Sequence, residues 1–477
     1  MIGYSRFFLL NLLMPVTALF NYFILGNSDQ LNNVGDFVKI ILLFSLFEPF
    51  VTIVLQDYIL FSKENNSLSE IFYFSIVLGI LFFLFSTSIF LLNFENMSLP
   101  NKIVVVFYFS RLLLKSFSNP IFSILKRGKR LRCLNISVFL QALAFFGSSL
   151  YLILIDEISF LILIPAIAAD FVGLFIAVFI LLTRYSYQFG SIKILPFSEL
   201  KIISIRSFSI YINKFSKRLD EYILSLMLAS DLLSIYHIIK KFSVDIFSLI
   251  LNLLYQVYTI EFSSTKKLAD KVNLLHKYKE VLPAFILFLF APVAFFSDTI
   301  FDHFFSSSIS EYSYIYVFLL FSFVNKVSIS GFVPYFLYIN IDKQVLRFTI
   351  INFMFQTFIY CLVLFFYPSL YALVLTSSLI SIALIFGVFF YYGRFVQVDT
   401  LGTLGAHLNC ILKLYRGHAV PFFSIMVLSS AFFTYFDVDH AYLSFLLMIL
   451  YYFIFLLINN NFKTYFFNVI TKKGGLV

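Results

Sequence analysis

The run Asn213-Lys214-Phe215-Ser216-Lys217-Arg218-Leu219-Asp220-Glu221 lies in the middle of residues 203–228. It is too polar to stand out as a membrane span, yet whether it crosses decides the fold, because it sets the parity of the span count. Its surroundings answer the question. Residues 184–206 before it and 266–279 after it are both rich in Lys and Arg, and such residues accumulate on the cytoplasmic side of membrane helices. Two cytoplasmic flanks require an even number of crossings between them. Residues 233–260 form one apolar crossing, so 203–228 must be the other.

The rest of the chain is easier to read. Of 477 residues 61% are hydrophobic and 12% charged, and mean hydropathy is +0.95. An ordinary soluble domain has about 25% charged residues. This much apolar surface needs a bilayer, and the 68 Phe suit lipid-facing positions. With 30 Tyr and no Trp, an interfacial aromatic belt would be built from Tyr. The apolar runs are continuous and about 20 residues long, enough to cross a core of about 30 Å as helices. They do not alternate as barrel strands do. The expected fold is an all-α polytopic membrane protein of about fourteen spans. They are 7–26, 38–58, 72–92, 103–124, 135–155, 159–183, 203–228, 233–260, 281–301, 313–338, 346–366, 369–393, 419–436 and 441–461. The first reads as a retained helix rather than a cleaved signal peptide, since no small-residue cleavage site follows it.

Loop charge tests this division. With the N-terminus inside, 24 of the 34 basic residues fall in cytoplasmic segments, while the outer loops hold only Lys39 and Lys102. The outer side instead holds acids such as Asp156, Glu157, Asp437 and Asp439. Both termini are therefore expected inside. The basic segment divides the chain into a six-helix lobe over 1–184, a linker over 185–202 and a second six-helix lobe over 203–394. Two further helices and a tail occupy 395–477. Pro120 with Lys129 and Pro334 with Lys343 recur at matching places in the two halves, as in parallel-repeat transporters with a site between lobes.

Thirteen charges lie within spans and away from their ends: Glu48, Asp170, Asp220, Glu221, Asp245, Arg111, Lys115, Lys214, Lys217, Arg218, Lys240, Lys241 and Lys326. A charge at mid-bilayer costs about 2.5–3.5 kcal/mol on insertion scales, so these residues should face a wet cavity or each other. Lys214, Lys217, Arg218 and Glu221 share one helical face, as do His237, Lys241 and Asp245, and as do Arg111 and Lys115. Eight bases against five acids leave a net +3, which suits an anionic substrate group such as phosphate. The candidate substrate contacts are Lys214, Lys217, Arg218, Lys241, Arg111 and Lys326. The candidate coupling residues, for a proton or a sodium ion, are Asp220, Glu221, Asp245, Glu48 and Asp170. Internal pairing, such as Lys217 with Glu221 or Lys241 with Asp245, is the competing reading. Lys115 could snorkel to the cytoplasmic surface. Glu48 precedes Pro49 and could mark a helix kink. Asp170 has no partner on its own helix and would bond to a neighbouring one.

Other chemistries find no support in the pattern. There is no phosphate-binding loop for ATP, no H-E-x-x-H, no nucleophile elbow and no Cys/His cluster. Cys133, Cys361 and Cys410 have neither disulfide-like nor metal-like spacing. No metal and no cofactor is expected. The basic run 126–132 reads as an orientation signal and a contact for anionic lipid rather than for nucleic acid.

The stretch 206–262 resembles polysaccharide exporters of the multidrug/oligosaccharidyl-lipid/polysaccharide superfamily, above all the Wzx-type O-antigen flippases. The matching residues are Arg218-Leu219-Asp220-Glu221-Tyr222-Ile223-Leu224, then Ala229-Ser230-Asp231-Leu232, then Ile235-Tyr236. Asp220 and Tyr236 take the places of the family's Asp and Tyr. Residues 334–352 and Tyr367-Pro368-Ser369-Leu370-Tyr371-Ala372-Leu373 are similar to two later family segments. The chain departs from the family in lacking its turn glycines and the Pro near the end of the eighth helix. The resemblance implies two six-helix lobes around a central cavity. It also implies alternating access for an undecaprenyl-diphosphate-linked oligosaccharide at the bacterial inner membrane. The partners would be that lipid-linked substrate, membrane lipids, and polymerase and chain-length proteins of lipopolysaccharide and surface-polysaccharide synthesis. A drug or cation antiporter of the same superfamily and a membrane O-antigen polymerase are the alternatives. The basic excess argues against the first, and the short outer loops without Arg argue against the second.

Overall fold

The computed structural model describes residues 31–61, 68–95, 97–127, 131–155, 163–184, 208, 211–245, 248, 267–332, 335–336, 342–396, 402–435 and 440–458. The first predicted span, the linker, the far part of the eighth span, Pro334 and the C-terminal tail lie outside these residues, as do residues 128–130 of the basic run 126–132. Every regular element among the described residues is helical.

The chain runs through α1 (Leu31–Phe61), α2 (Leu68–Asn93), α3 (Leu99–Phe109), α4 (Arg111–Arg127), α5 (Leu131–Ile155) and α6 (Ile164–Arg184). Next come α7 (Leu219–Met227) and α8 (Ser230–Lys240), which ends in a π turn over Lys241–Asp245. Then follow α9 (Leu268–Phe295), α10 (Ser297–Phe304), α11 (Ser307–Ser310) and α12 (Tyr314–Ser330). The last are α13 (Asp342–Phe366), α14 (Leu370–Tyr392), α15 (Leu404–Tyr435) and α16 (His440–Ile458). Among the described residues, Phe72–Asn93, Ala269–Phe295, Lys343–Phe366 and Leu370–Tyr392 are long and apolar enough to cross a membrane. The chain is an all-α polytopic membrane protein, as its hydropathy requires.

The helices form two compact units, Met1–His237 with Thr349–Thr357, and Ile238–Phe348 with Phe358–Val477. In the first, α6 shows how a span is divided between lipid and protein. Phe171, Phe175, Phe179 and Leu182 are exposed along one face, a helical stripe suited to acyl chains. Ala169, Ile176, Ala177 and Ile180 are buried on the other. Small residues let α2 and α4 approach closely. Ser75 Oγ donates to the Ser116 carbonyl at 2.7 Å, and a Cβ on Gly79 would meet Ser116 Oγ at 2.4 Å. Such contacts hold membrane helices together where apolar burial gives no net drive.

The second unit repeats the device between α12 and α14. Ser322 donates to the Ser377 carbonyl at 3.3 Å, and Asn325 Nδ2 donates to Ser381 Oγ at 3.2 Å. One end of this unit is an aromatic core of Phe332, Tyr335, Phe336, Phe389 and Tyr392. Lys279 lies 5.9 Å from the centre of the Phe332 ring. The fully buried His407 lies 5.0 Å from Phe389 and 3.5 Å from Ser328 Oγ. Burial, helped by nearby Lys279, pushes the His407 imidazole down to about 3, so it is neutral in the cell.

Candidate functional site

The charged residues of the first unit form two groups. The first is built on α1, α4 and α6. Arg111 Nε donates to Asp170 Oδ2 at 2.6 Å. Lys115, one turn further along α4, donates to Glu48 Oε1 and lies 3.9 Å from Asp170 Oδ2. The guanidinium of Arg111 is 4.8 Å from the centre of the Phe44 ring and 4.7 Å from that of Tyr108. Two acids and two bases thus make a neutral network across three helices. Lys115 is turned inward to this network rather than snorkelling outward. Asp170 finds its partner on a neighbouring helix, as its isolation on α6 suggested.

Helix irregularity brings these groups into place. Ser110 interrupts the helix between α3 and α4, and its hydroxyl bonds back to the Phe107 carbonyl at 2.6 Å. Arg111 begins the next segment. Pro49 follows Glu48 inside α1 and cannot donate to the carbonyl one turn back. Thr52 Oγ1 bonds the Glu48 carbonyl at 2.9 Å.

The second group sits on the polar run of the seventh span. The expectation of one helix over 203–228 needs correction here. Residues 211–216 are helical, Lys217 and Arg218 form a turn, and α7 begins at Leu219. The Arg218 N–H bonds the Phe215 carbonyl at 3.0 Å. Asp220 and Glu221 fall in the first turn of α7, where negative charge opposes the helix dipole. The sequence of charges therefore favours a restart at Leu219, which breaks the single stripe through Lys214, Lys217, Arg218 and Glu221.

The break separates the charges by sign. Asp220 and Glu221 are buried, while Lys214 and Lys217 are exposed and Arg218 is half-buried. Asp220 Oδ1 accepts the Glu221 N–H at 3.0 Å, and its Oδ2 accepts the Tyr236 hydroxyl. Glu221 Oε1 lies 3.4 Å from His237 Nδ1. Tyr222 ties α7 to α1, donating to the Leu42 carbonyl at 2.9 Å and bonding Ser45 Oγ at 2.7 Å. The Tyr211 ring lies 4.3 Å from Phe50. Lys214 is within electrostatic range of both Glu48 and Lys115, so the two groups adjoin.

Of the remaining candidates, Lys241 and Lys326 belong to the second unit. Lys241 opens the π turn that packs on α12, where Lys326 is half-buried. The Asp245 side chain lies outside the described residues. Lys240 is buried. Phe44 and Tyr108 are the contributors that sequence reasoning missed. No residue pattern marks a ring as a cation's neighbour when it lies on another helix.

No protein-family model matches the sequence, and no curated protein matches it. Solved structures do. Lipid II flippase MurJ, in an inward closed conformation, aligns over 98% of this chain and 99% of its own, with TM-score 0.68 and 15% identity. An inward-facing multidrug resistance MATE family transporter of the MOP superfamily aligns over 83% of this chain and 100% of its own, with TM-score 0.54 and 12% identity. A MATE structure in complex with MaD3S aligns over 85% and 96%, with TM-score 0.50 and 12% identity. The chain has the fold of MOP-superfamily transporters.

Proposed function

We propose that this protein flips an undecaprenyl-diphosphate-linked oligosaccharide from the inner to the outer leaflet of the bacterial inner membrane. The product would feed O-antigen or other surface-polysaccharide synthesis. The reading rests on the sorting of charge at the break in the seventh span. Asp220 and Glu221 turn into the protein there, while Lys214 and Lys217 are exposed. Exposed lysines in a membrane helix need water or an anion beside them. Non-helical backbone at membrane depth is tolerated where it is buried in protein or lines a wet cavity. In many transporters, broken helices form the substrate site. A solved structure similar over nearly the whole chain belongs to a flippase of a lipid.

Lys214, Lys217 and Arg218 would hold the diphosphate, with Arg111 adding to the positive field. The largely neutral sugar would occupy the wet cavity, and the lipid tail would stay in the bilayer. Asp220, Glu221, Asp245, Glu48 or Asp170 would take a coupling proton or sodium ion.

Lys217→Ala and Arg218→Ala, each expressed at low level in a deletion strain, are expected to abolish surface polysaccharide while the protein still inserts. Normal surface polymer in both variants would remove the cationic turn from the account. Normal polymer in the deletion strain itself, with increased dye sensitivity, would mark a drug antiporter instead.

A further inference from the structure

The two ion pairs of the α1–α4–α6 network are built differently. Arg111 and Asp170 each keep 11% of their side-chain surface exposed. The guanidinium is held by a carboxylate and flanked by two aromatic rings. Its planar fork has little freedom in such a place. Lys115 and Glu48 are more open, at 17% and 30%. Lys115 is a flexible point charge with carboxylates on both sides, Glu48 in contact and Asp170 at 3.9 Å. Beyond Lys115, Glu48 has two further cations within electrostatic range, Arg111 and then Lys214 from the broken seventh span. Asp170 keeps Arg111 whatever Lys115 does. Lys115 can therefore leave Glu48 without stranding either acid, because Lys214 can compensate one and Arg111 the other.

We infer that Lys115 is an exchangeable ligand for the substrate's diphosphate. The incoming anion takes Lys115 from Glu48, while the Arg111–Asp170 pair stays closed as the fixed support. This rests on the lipid-diphosphate reading above and adds to it a residue and a competition. Glu48 is an internal rival of the substrate for the same ammonium group. The rivalry makes opposite predictions for the two partners. Loss of Lys115 removes a ligand, whereas loss of the Glu48 charge removes a competitor.

The test uses the full-length protein in detergent, with binding of farnesyl diphosphate measured by calorimetry and farnesol as the uncharged control. Wild type should bind the diphosphate and not the alcohol. Lys115→Gln should weaken binding about tenfold or more, the worth of one charge-assisted hydrogen bond. Lys115→Arg should restore most of the loss. Glu48→Gln should tighten binding several-fold. Glu48→Gln combined with Lys115→Gln should unfold at the wild-type temperature yet bind as weakly as Lys115→Gln alone. A purely structural pair would give equal losses in both single variants and recovery of binding in the double. That result, or Lys115→Gln binding as wild type does, overturns the inference and leaves the flippase reading standing. Failure of wild type to prefer the diphosphate over the alcohol overturns both. Inorganic pyrophosphate binding as tightly as the prenyl form, and through Lys115, would keep the anion site but overturn its assignment to a lipid.

Discussion

Arg111→Ala is expected to lower the unfolding temperature of the purified protein more than any other single charge removal in the first unit. The change leaves Asp170 buried with only the more distant Lys115 for compensation. Breaking a buried ion pair from one side costs about 3–5 kcal/mol. The lost ring contacts of Phe44 and Tyr108 add about 0.5–2 kcal/mol. The paired replacement Arg111→Met with Asp170→Leu should regain most of this, because it removes both charges and fills the space with apolar atoms. Thermal unfolding in detergent distinguishes the cases. The expected order is wild type, then the double variant close behind, then Arg111→Ala well below. Equal melting of the single and double variants would mean the pair is not the support described above.

Gly35→Val is also expected to be damaging, for a steric reason. A Cβ at position 35 would lie 2.1 Å from the carbonyl oxygen of Ser230 and 2.6 Å from its carbon. These are backbone atoms of the first residue of α8, so no side-chain rotation relieves the clash. The same contact carries polar bonds, from Lys39 Nζ to Ser230 Oγ at 2.7 Å and to Asp36 Oδ1 at 3.1 Å. Overpacking of this kind costs about 1–3 kcal/mol, and it would displace α7 and its charged turn from α1. Both stability and surface polysaccharide should fall. Ser230→Gly should not rescue the variant, since the collision is with the carbonyl. Rescue by Ser230→Gly would place the close contact at the side chain instead.

Membrane helices are legible in sequence because the bilayer demands continuous apolar runs, and the described helices overlap the predicted spans, although the fourth is interrupted at Ser110, the ninth at Phe296, and α9 and α15 begin well before residues 281 and 419. The seventh span was recoverable only from the charge on its flanks. Its break at Lys217–Arg218 was not, because a stripe of spacing i, i+3, i+4, i+7 assumes an unbroken helix. The position of Asp220 and Glu221 directly after two cations was the available clue, since acids suit a helix start. The α1–α4–α6 network was half legible. Away from the span ends, Glu48 and Asp170 are the two acids of the first six spans, and Arg111 and Lys115 are the two bases. Matching them by number would have given Lys115 an inward partner. Which acid meets which base depends on helix rotation, and that is set by packing such as Gly79 on Ser116.

The most direct test of the proposed flipping is a leaflet assay with purified protein. Proteoliposomes would be loaded symmetrically with an undecaprenyl-diphosphate-linked oligosaccharide and treated with a membrane-impermeant glycosidase. Without protein, only the outer-leaflet share of the glycan is cut. With wild-type protein the whole pool should become accessible, and Arg218→Ala should return it to the outer-leaflet share. If wild-type vesicles stop at the outer-leaflet share, as empty ones do, this protein does not carry lipid-linked oligosaccharide across the membrane.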